Sequence, residues 1–191
     1  CARRIAEEKF TEVERSHRIK GLMSEGSSSR IQRILEGASA GYLTGRFSSA
    51  VADVLAASDD DTREDSVIAD LYCLDAGGTE HYFELKSPKP NKGQCIEATR
   101  RFLTIHALRG AEGRSVKTFY GMPYNPYGSN REDYAHSIAL NYLDMQQEVL
   151  LESELWEYLG GSGTYDELIH IYREVGREKG PDVLDKLALG Y

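Results

Sequence analysis

The chain has 191 residues, of which 40% are hydrophobic and 28% are charged, an ordinary balance for one globular domain. Its 31 acids and 23 bases give a formal net charge of −8. This argues against an indiscriminate nucleic-acid or membrane binder, because such proteins are usually basic. No apolar run approaches the ~18 residues that a membrane-spanning helix needs, so a membrane protein is excluded.

The three cysteines are Cys1, Cys73 and Cys95, an odd number without metal-ligand spacing. A disulfide framework and a zinc site are therefore not expected, and a reducing cytoplasm is favoured. The chain opens with Cys-Ala-Arg-Arg, without Met and without the hydrophobic region of a signal peptide. We therefore expect some N-terminal residues to be missing.

Charge is distributed unevenly along the chain. The segment from Lys86 to Lys117 contains eight basic and two acidic residues, a local balance of +6. The segment from Arg131 to Glu178 contains three arginines and eleven acidic residues, a local balance of −8. A protein that is acidic overall can therefore present one basic surface, although two solvated faces of opposite sign give the same pattern.

The N-terminal part, residues 1–57, is predicted to be helical. Apolar residues recur among many charges over residues 2–20, which indicates an amphipathic helix. After a Gly/Ser-rich break, a second helix is predicted to start at Ser28 or Ser29. Three glycines interrupt it, so we expect two helices or a kinked one before residues 51–57, and residues 58–62 form a polar loop. These glycines are Gly37, Gly41 and Gly45.

Two β-strands are predicted at residues 66–74 and 80–86, because both stretches contain β-branched and aromatic residues. The sequence Asp75-Ala76-Gly77-Gly78 between them is typical of a tight turn, so the two strands form a hairpin. Pro88 and Pro90 end the second strand, since proline cannot donate to a ladder.

The remaining elements indicate an α/β chain without repeats. A long helix over 94–108 completes a central segment of residues 66–110, and a short strand follows at 116–120. The C-terminal part, residues 129–191, is predicted to be helical, with a capping box formed by Thr164 and Glu167.

The predicted hairpin carries the residues that point to chemistry. Glu84 and Lys86 share one face of their strand, because side chains alternate with period two. If the turn has three residues, Asp70 lies opposite Glu84, with Cβ atoms ~4.5–5.5 Å apart. Two such carboxylates can share a divalent cation, and Lys86 can orient water or neutralise a transition state. A surface hairpin held by salt bridges is the alternative interpretation.

These residues also resemble a known group of enzymes. Asp70 followed by Glu84-x-Lys86 is similar to the PD-(D/E)xK nuclease superfamily. Three longer strings resemble type II restriction endonucleases of the TdeIII kind, whose members cut at GGNCC-like sites. The strings are Phe83 to Lys92, Tyr124-Asn125-Pro126-Tyr127-Gly128, and Glu154 to Gly161 with Thr164-Tyr165 after it. The resemblance covers roughly residues 65–175, more than half of the chain.

The resemblance implies a restriction-endonuclease-like core, a small mixed β-sheet flanked by helices, in a single nuclease domain over residues 1–191. It implies Mg²⁺-dependent, sequence-specific hydrolysis of double-stranded DNA by a homodimer. Asp70, Glu84 and the backbone carbonyl of Leu85 would hold the metal, and Lys86 would position the water. Superfamily members often add an acid from a preceding helix, for which Glu14 and Glu36 are the candidates.

DNA contacts are expected from residues that follow the predicted strands at 80–86 and 116–120. They are Lys89, Asn91, Lys92, Gln94, Tyr124, Asn125 and Tyr127. Arg100 and Arg101 also come where a phosphodiester backbone would lie. Gln94 is equally compatible with a helix-surface role, and Tyr124–Tyr127 with either a DNA-facing loop or a packed turn.

Two other functions are compatible with the sequence. A nuclease of DNA repair or junction resolution would keep Asp70, Glu84 and Lys86 but cleave according to DNA structure. A non-enzymatic interaction module would use the acidic C-terminal half as a docking surface and the hairpin charges as salt bridges.

Overall fold

The computed structural model describes residues 1–41 and 46–189, with side chains as far as residue 180. It has a five-stranded mixed sheet with helices packed on it, which confirms the predicted α/β class. In chain order the elements are α1 (Ala2–Ala6), β1 (Glu12–Ser24), α2 (Glu25–Ser39), α3 (Phe47–Ala56), β2 (Thr62–Leu74), β3 (Glu80–Leu85), α4 (Lys92–Gly110), β4 (Val116–Met122), a 3₁₀ turn (Arg131–Asp133), α5 (Ser137–Tyr142), β5 (Val149–Leu151), α6 (Ser153–Gly160) and α7 (Thr164–Leu189).

The strands follow one another across the sheet in the order β1-β2-β3-β4-β5. The β1–β2 and β2–β3 pairs are antiparallel, whereas the β3–β4 and β4–β5 pairs are parallel. A parallel pair needs a crossover connection, and α4 supplies it between β3 and β4. The carboxyl ends of β3 and β4 therefore lie at the same edge of the sheet.

Alternating side chains divide the core into two clusters, one on each face of the sheet. Tyr72, Tyr82 and Tyr120 pack with residues of helices α2 to α5. Leu71 and Phe83 pack with residues of α1, α6 and α7. Because neighbouring residues on a strand point to opposite faces, each central strand contributes to both clusters.

The N-terminal helix prediction is wrong over most of its length. Helix α1 ends at Ala6, and residues 12–24 form the long edge strand β1. Ile19 is buried between exposed neighbours, and Met23 and Ser24 are both buried at the end of the strand. Ile19 and Met23 are four positions apart, a spacing that fits a helix as well as a strand, so the local pattern does not separate the two.

The second helix starts earlier than the sequence predicts. Helix α2 begins at Glu25, and the hydroxyl of Ser24 caps it by accepting the Ser27 amide at 3.0 Å. The N-cap is therefore Ser24, not Ser28 or Ser29. The structure has two separate helices, α2 and α3, but Gly37 lies inside α2 instead of interrupting it, and α3 includes Val51. Gly45, one of the interrupting glycines, lies outside the described residues.

The hairpin prediction is confirmed. The register runs from Leu71 opposite Phe83 to Leu74 opposite Glu80, so the expected pairing of Asp70 with Glu84 is not part of the ladder. The Asp75 amide donates to the Thr79 carbonyl at 3.1 Å, so the turn has the assumed three residues. Gly78 adopts φ +81°, which glycine tolerates without strain.

The later elements are mostly as predicted, with two corrections. Helix α4 and strand β4 extend the predicted ranges by a few residues. The C-terminal part is not wholly helical, because Val149–Leu151 form β5 beside β4. Thr164 is the first helical residue of α7, so it is not the N-cap that a capping box requires. No helix within residues 1–41 and 46–189 is long and apolar enough to cross a membrane.

Candidate active site

Asp70 lies where the odd-numbered residues of β2 switch from one core cluster to the other. Val67 and Ala69 pack in the cluster under α2 to α5, whereas Leu71 packs in the opposite cluster. On a regular strand these odd-numbered residues would share a face. Ser16 and Asp70 are left out of the β1–β2 register, although the residues on either side of them pair, and Ser16 has φ +50°, which costs a non-glycine residue about 1–2 kcal/mol. The backbone at Asp70 is therefore irregular.

The Asp70 carboxylate connects β2 to the end of β3. Its Oδ2 accepts the Leu85 amide at 2.9 Å and the Lys86 Nζ at 2.7 Å. Main-chain pairing of the two strands ends at Leu71 opposite Phe83, so the carboxylate replaces a carbonyl as the acceptor of the Leu85 amide. The chain is thereby fixed at the residues predicted to hold a metal.

Glu84 is almost fully buried, with 2% of its surface exposed, and both of its oxygens meet cations. Oε2 lies 3.1 Å from Lys86 Nζ, and Oε1 lies 2.8 Å from Arg101 Nη1. A buried carboxylate without such partners would be costly. Asp70 and Glu84 therefore meet at one ammonium group, that of Lys86.

Lys86 is a protonated donor in this arrangement. Burial lowers its pKa, but the hydrogen bond to Asp70 and the charge of Glu84 raise it, and the net shift is upward. Lys86 therefore suits a role in orienting a nucleophile or stabilising negative charge, rather than in accepting a proton.

Arg101 is a member of the site that the sequence indicates only as a phosphate contact. Helix α4 brings its guanidinium back to Glu84, and its Nε also contacts Glu97 Oε1 at 3.2 Å. Burial lowers the pKa of Arg101, but its bonds and charge interactions with these two acids raise it further. The sequence signal was weak, since Glu84 and Arg101 are 17 positions apart and lie on different elements.

The donor set fits a hard divalent cation. Mg²⁺ in proteins is held by one or two carboxylates and keeps several waters, which matches Asp70 and Glu84 with the Leu85 carbonyl. Tyr120 pairs with Glu84 in the β3–β4 register, and its buried hydroxyl has no partner among the described residues. Within the same residues, no group of three or more His, Cys, Asp and Glu side chains is placed to hold a metal.

A comparison with protein families places the chain in a known group. The model of the family described as "Type II restriction endonuclease, HinfI" matches residues 1–176. The chain belongs to this family. The type II restriction endonuclease resemblance seen in the sequence is thus confirmed at this level.

Curated relatives agree with the HinfI-family assignment. The chain is 46% identical over 121 residues to "Type II restriction enzyme HgiCII" of Herpetosiphon aurantiacus. It is 44% identical over the same length to HgiBI and to HgiEI of that organism. Each match covers 63% of this chain and 44% of the relative, so the chain spans less than half the length of these relatives. No solved structure matches the chain.

The two candidates for an additional acid from a preceding helix, Glu14 and Glu36, lie on different elements of this HinfI-family chain. Glu14 is on strand β1, not on a helix, and contacts His17 Nδ1 at 2.6 Å. Glu36 is on α2 and lines a groove of about 860 Å³ between α2, β2 and α4. Arg100 and Arg101 line the same groove, so Glu36 shares a surface with the site.

Three residues of the predicted DNA-binding set begin helix α4 or pack against its neighbours. Asn91 and Gln94 form a reciprocal capping box, each side chain accepting the other's amide at 2.9 Å. Lys92 Nζ donates to the Ser39 carbonyl at 2.6 Å and lies over the Tyr142 ring. These contacts account for the three side chains without DNA.

The other members of the set lie on loops at the site's edge of the sheet. Exposed Lys89 lies over the Tyr127 ring, 5.2 Å from its centroid, and Tyr124 is 52% exposed. Asn125 donates to the Asn130 carbonyl at 2.8 Å and accepts the Tyr127 amide, as in a packed turn. This surface thus offers Lys89 and the two tyrosines, whereas the amide of Asn125 is already engaged.

The basic segment between Lys86 and Lys117 is not a continuous basic surface. Arg109 pairs with buried Glu80 at 3.2 Å, and Arg114 pairs with the same acid at 3.6 Å. Arg100 and Arg101 both pair with Glu97. The fold therefore neutralises much of the charge that the linear sequence concentrates.

Proposed function

We propose that this chain is a nuclease domain that hydrolyses phosphodiester bonds in double-stranded DNA in a Mg²⁺-dependent, sequence-specific reaction. The observation that carries the proposal is the meeting of Asp70 and Glu84 at Lys86, where strand β3 ends. Membership of the HinfI family supports it, as do the names of the relatives as type II restriction enzymes.

Each residue of the site has a distinct task in this reaction. Asp70 and Glu84, with the Leu85 carbonyl, hold the metal. When bound, Mg²⁺ supplies positive charge next to the reacting phosphate and makes a bound water more acidic. Lys86 donates from its ammonium group, orienting the attacking water and stabilising the charge that develops on the phosphate oxygens. Burial of Glu84 keeps its carboxylate fixed, so little reorganisation accompanies the reaction.

Cleavage of unmethylated plasmid DNA with Mg²⁺ tests the proposal. We expect discrete fragments from the wild type and losses of about a hundredfold or more for Glu84→Gln and for Lys86→Ala. Glu80→Gln is the matched control, because Glu80 is a buried acid on the same face of β3, paired with Arg109 of α4. Glu80→Gln should lose stability but keep cleavage.

The same experiment separates the other functions. Cleavage of branched but not linear DNA, lost in both site variants, would replace the proposal with a repair or junction nuclease. Absence of cleavage and of any stabilisation by Mg²⁺ would favour an interaction module. Undiminished cleavage by Glu84→Gln would overturn the site itself.

The finer assignment is a TdeIII-like enzyme that cuts at GGNCC-type sites as a cytoplasmic homodimer. It is supported by the string Phe83 to Lys92 and by the two-fold symmetry that a palindromic site demands. Sequencing the fragment ends should reveal GGNCC at every cut, and the molar mass in solution should be twice that of the 21.4 kDa chain. Fragment ends at a different sequence would reject the TdeIII-like assignment but not the nuclease function.

A further inference from the structure

Both oxygens of Glu84 are already bound to cationic side chains. Lys86 takes Oε2 and Arg101 takes Oε1, so the carboxylate is neutralised from two sides. A divalent ion that binds Glu84 therefore competes with these two cations for the same carboxylate. Lys86 also contacts Asp70 Oδ2 at 2.7 Å and stays anchored without Glu84.

Arg101 has a second anchor of its own. Its Nε contacts Glu97 Oε1 at 3.2 Å, and Glu97 is an exposed acid one helical turn earlier on α4. The guanidinium can therefore leave Glu84 without losing its place on the helix. It also lines the groove between α2, β2 and α4, where Arg18, Arg33 and Arg63 are further cations.

We propose that Arg101 is a positioning residue that acts as the internal counter-ion of Glu84 and yields Glu84 Oε1 when a divalent metal binds. The inference rests on the proposed function, because it assumes that Glu84 is a metal ligand. Before metal binding, Arg101 stabilises a carboxylate that burial would otherwise penalise. Afterwards it is held by Glu97 at the rim of the groove.

This arrangement makes metal binding weaker than the two carboxylates alone would allow. Each metal ion must compete with a charged hydrogen bond of 2.8 Å. Removing the guanidinium while keeping the apolar stem of the side chain should therefore tighten metal binding. A residue that only held Glu84 in place would have the opposite effect, since its loss would loosen the ligand.

Titration of the protein with Mn²⁺ by calorimetry, without DNA, tests the inference. Arg101→Met keeps the length and packing of the stem and removes the charge, and we expect at least about tenfold tighter Mn²⁺ binding. Arg100→Met is the matched control, because Arg100 is the next residue on α4, lines the same groove and pairs with Glu97 but not with Glu84. It should bind Mn²⁺ as the wild type does, and Arg101→Lys should fall between the two.

Thermal unfolding provides a second measurement that tolerates a less stable variant. In EDTA, Arg101→Met should melt below the wild type, because Glu84 has lost a counter-ion. Saturating Mn²⁺ should then raise its Tm by more than it raises that of the wild type, since tighter binding stabilises more.

The outcomes separate this inference from the proposed function. If wild-type binding of Mn²⁺ is lost in Glu84→Gln but Arg101→Met binds no more tightly than Arg100→Met, the counter-ion role is overturned and the metal site stands. If Mn²⁺ binding is absent in the wild type, or is unaffected by Glu84→Gln, both ideas are overturned.

Discussion

At the scale of single residues, two buried acids on β3 show how context decides chemistry. Glu80 and Glu84 lie on the same face, and each pairs with an arginine of α4. Only Glu84 has a second carboxylate and a lysine within the same group of contacts. Glu80 instead accepts the Tyr82 hydroxyl at 2.8 Å, which completes a structural network. Burial alone therefore does not identify a metal ligand.

A third buried acid, Glu148, leads to a prediction about pH. Burial is the main cause that raises its pKa to about 8, and the charge of Asp144 adds to this effect. A hydrogen bond from the Asp144 backbone amide acts in the opposite direction. Glu148 Oε1 has no hydrogen-bond partner among the described residues. Between about pH 4.5 and 8 the folded chain keeps this proton and the unfolded chain does not. Unfolding then releases a proton, so the free energy of unfolding falls as the pH rises through this window.

Glu148→Gln should therefore stabilise the protein increasingly from pH 5 to pH 8. We expect a gain on the order of 2–4 kcal/mol at pH 8 and little change at pH 5, because glutamine does not titrate. The measurement is Tm as a function of pH for both proteins. Glu132→Gln makes the same chemical change at an exposed position and should give no such trend. A constant difference in Tm across the range would contradict the prediction.

At the scale of elements, the start of α4 supports the site from the side of the helix. Asn91 and Gln94 cap the helix reciprocally, and the same helix carries Arg101 to Glu84. Asn91→Ala should lower the free energy of unfolding by about 1 kcal/mol, because an amide of the first turn loses its acceptor. Chemical denaturation with and without Mn²⁺ measures this cost.

Asn91→Ser distinguishes capping from DNA contact. Serine caps a helix about as well as asparagine, so stability should be retained. If Asn91 has no part in DNA binding, Asn91→Ser should bind DNA as the wild type does. Weaker binding of DNA by a stable Asn91→Ser protein would instead support the DNA contact expected from the sequence.

The hairpin could be predicted from the sequence because its determinants are local. Its turn residues and the Leu71–Phe83 pair next to Asp70 and Glu84 lie within one short stretch of chain, and a three-residue turn fixes the pairing. Strand β1 could not, because it pairs with β2 some 50 positions away, and its charged, exposed face resembles that of an amphipathic helix. The Arg101 contact likewise depends on how α4 packs against the sheet, which no local pattern specifies.

At the scale of the whole molecule, the fold pairs many of the basic residues of one segment with acidic residues. The linear sequence suggests a basic segment, but Glu80, Glu84 and Glu97 neutralise several of its arginines. Under the proposed function, a chain with a net charge of −8 attracts DNA through a limited surface. The loops after β3 and β4 provide one, because exposed Lys89 lies there beside Tyr127 and the site.

Lys89→Ala and Lys117→Ala test whether this edge of the sheet is the DNA-facing one. Both residues are exposed lysines, but Lys117 lies at the start of β4, at the opposite end of the parallel strands. The two variants have the same net charge, so any difference between them reports position. In EDTA, Lys89→Ala should weaken DNA binding and reduce the slope of log affinity against log salt by about 1. Lys117→Ala should leave both unchanged, and equal effects of the two variants would mean that DNA responds to total charge rather than to this surface.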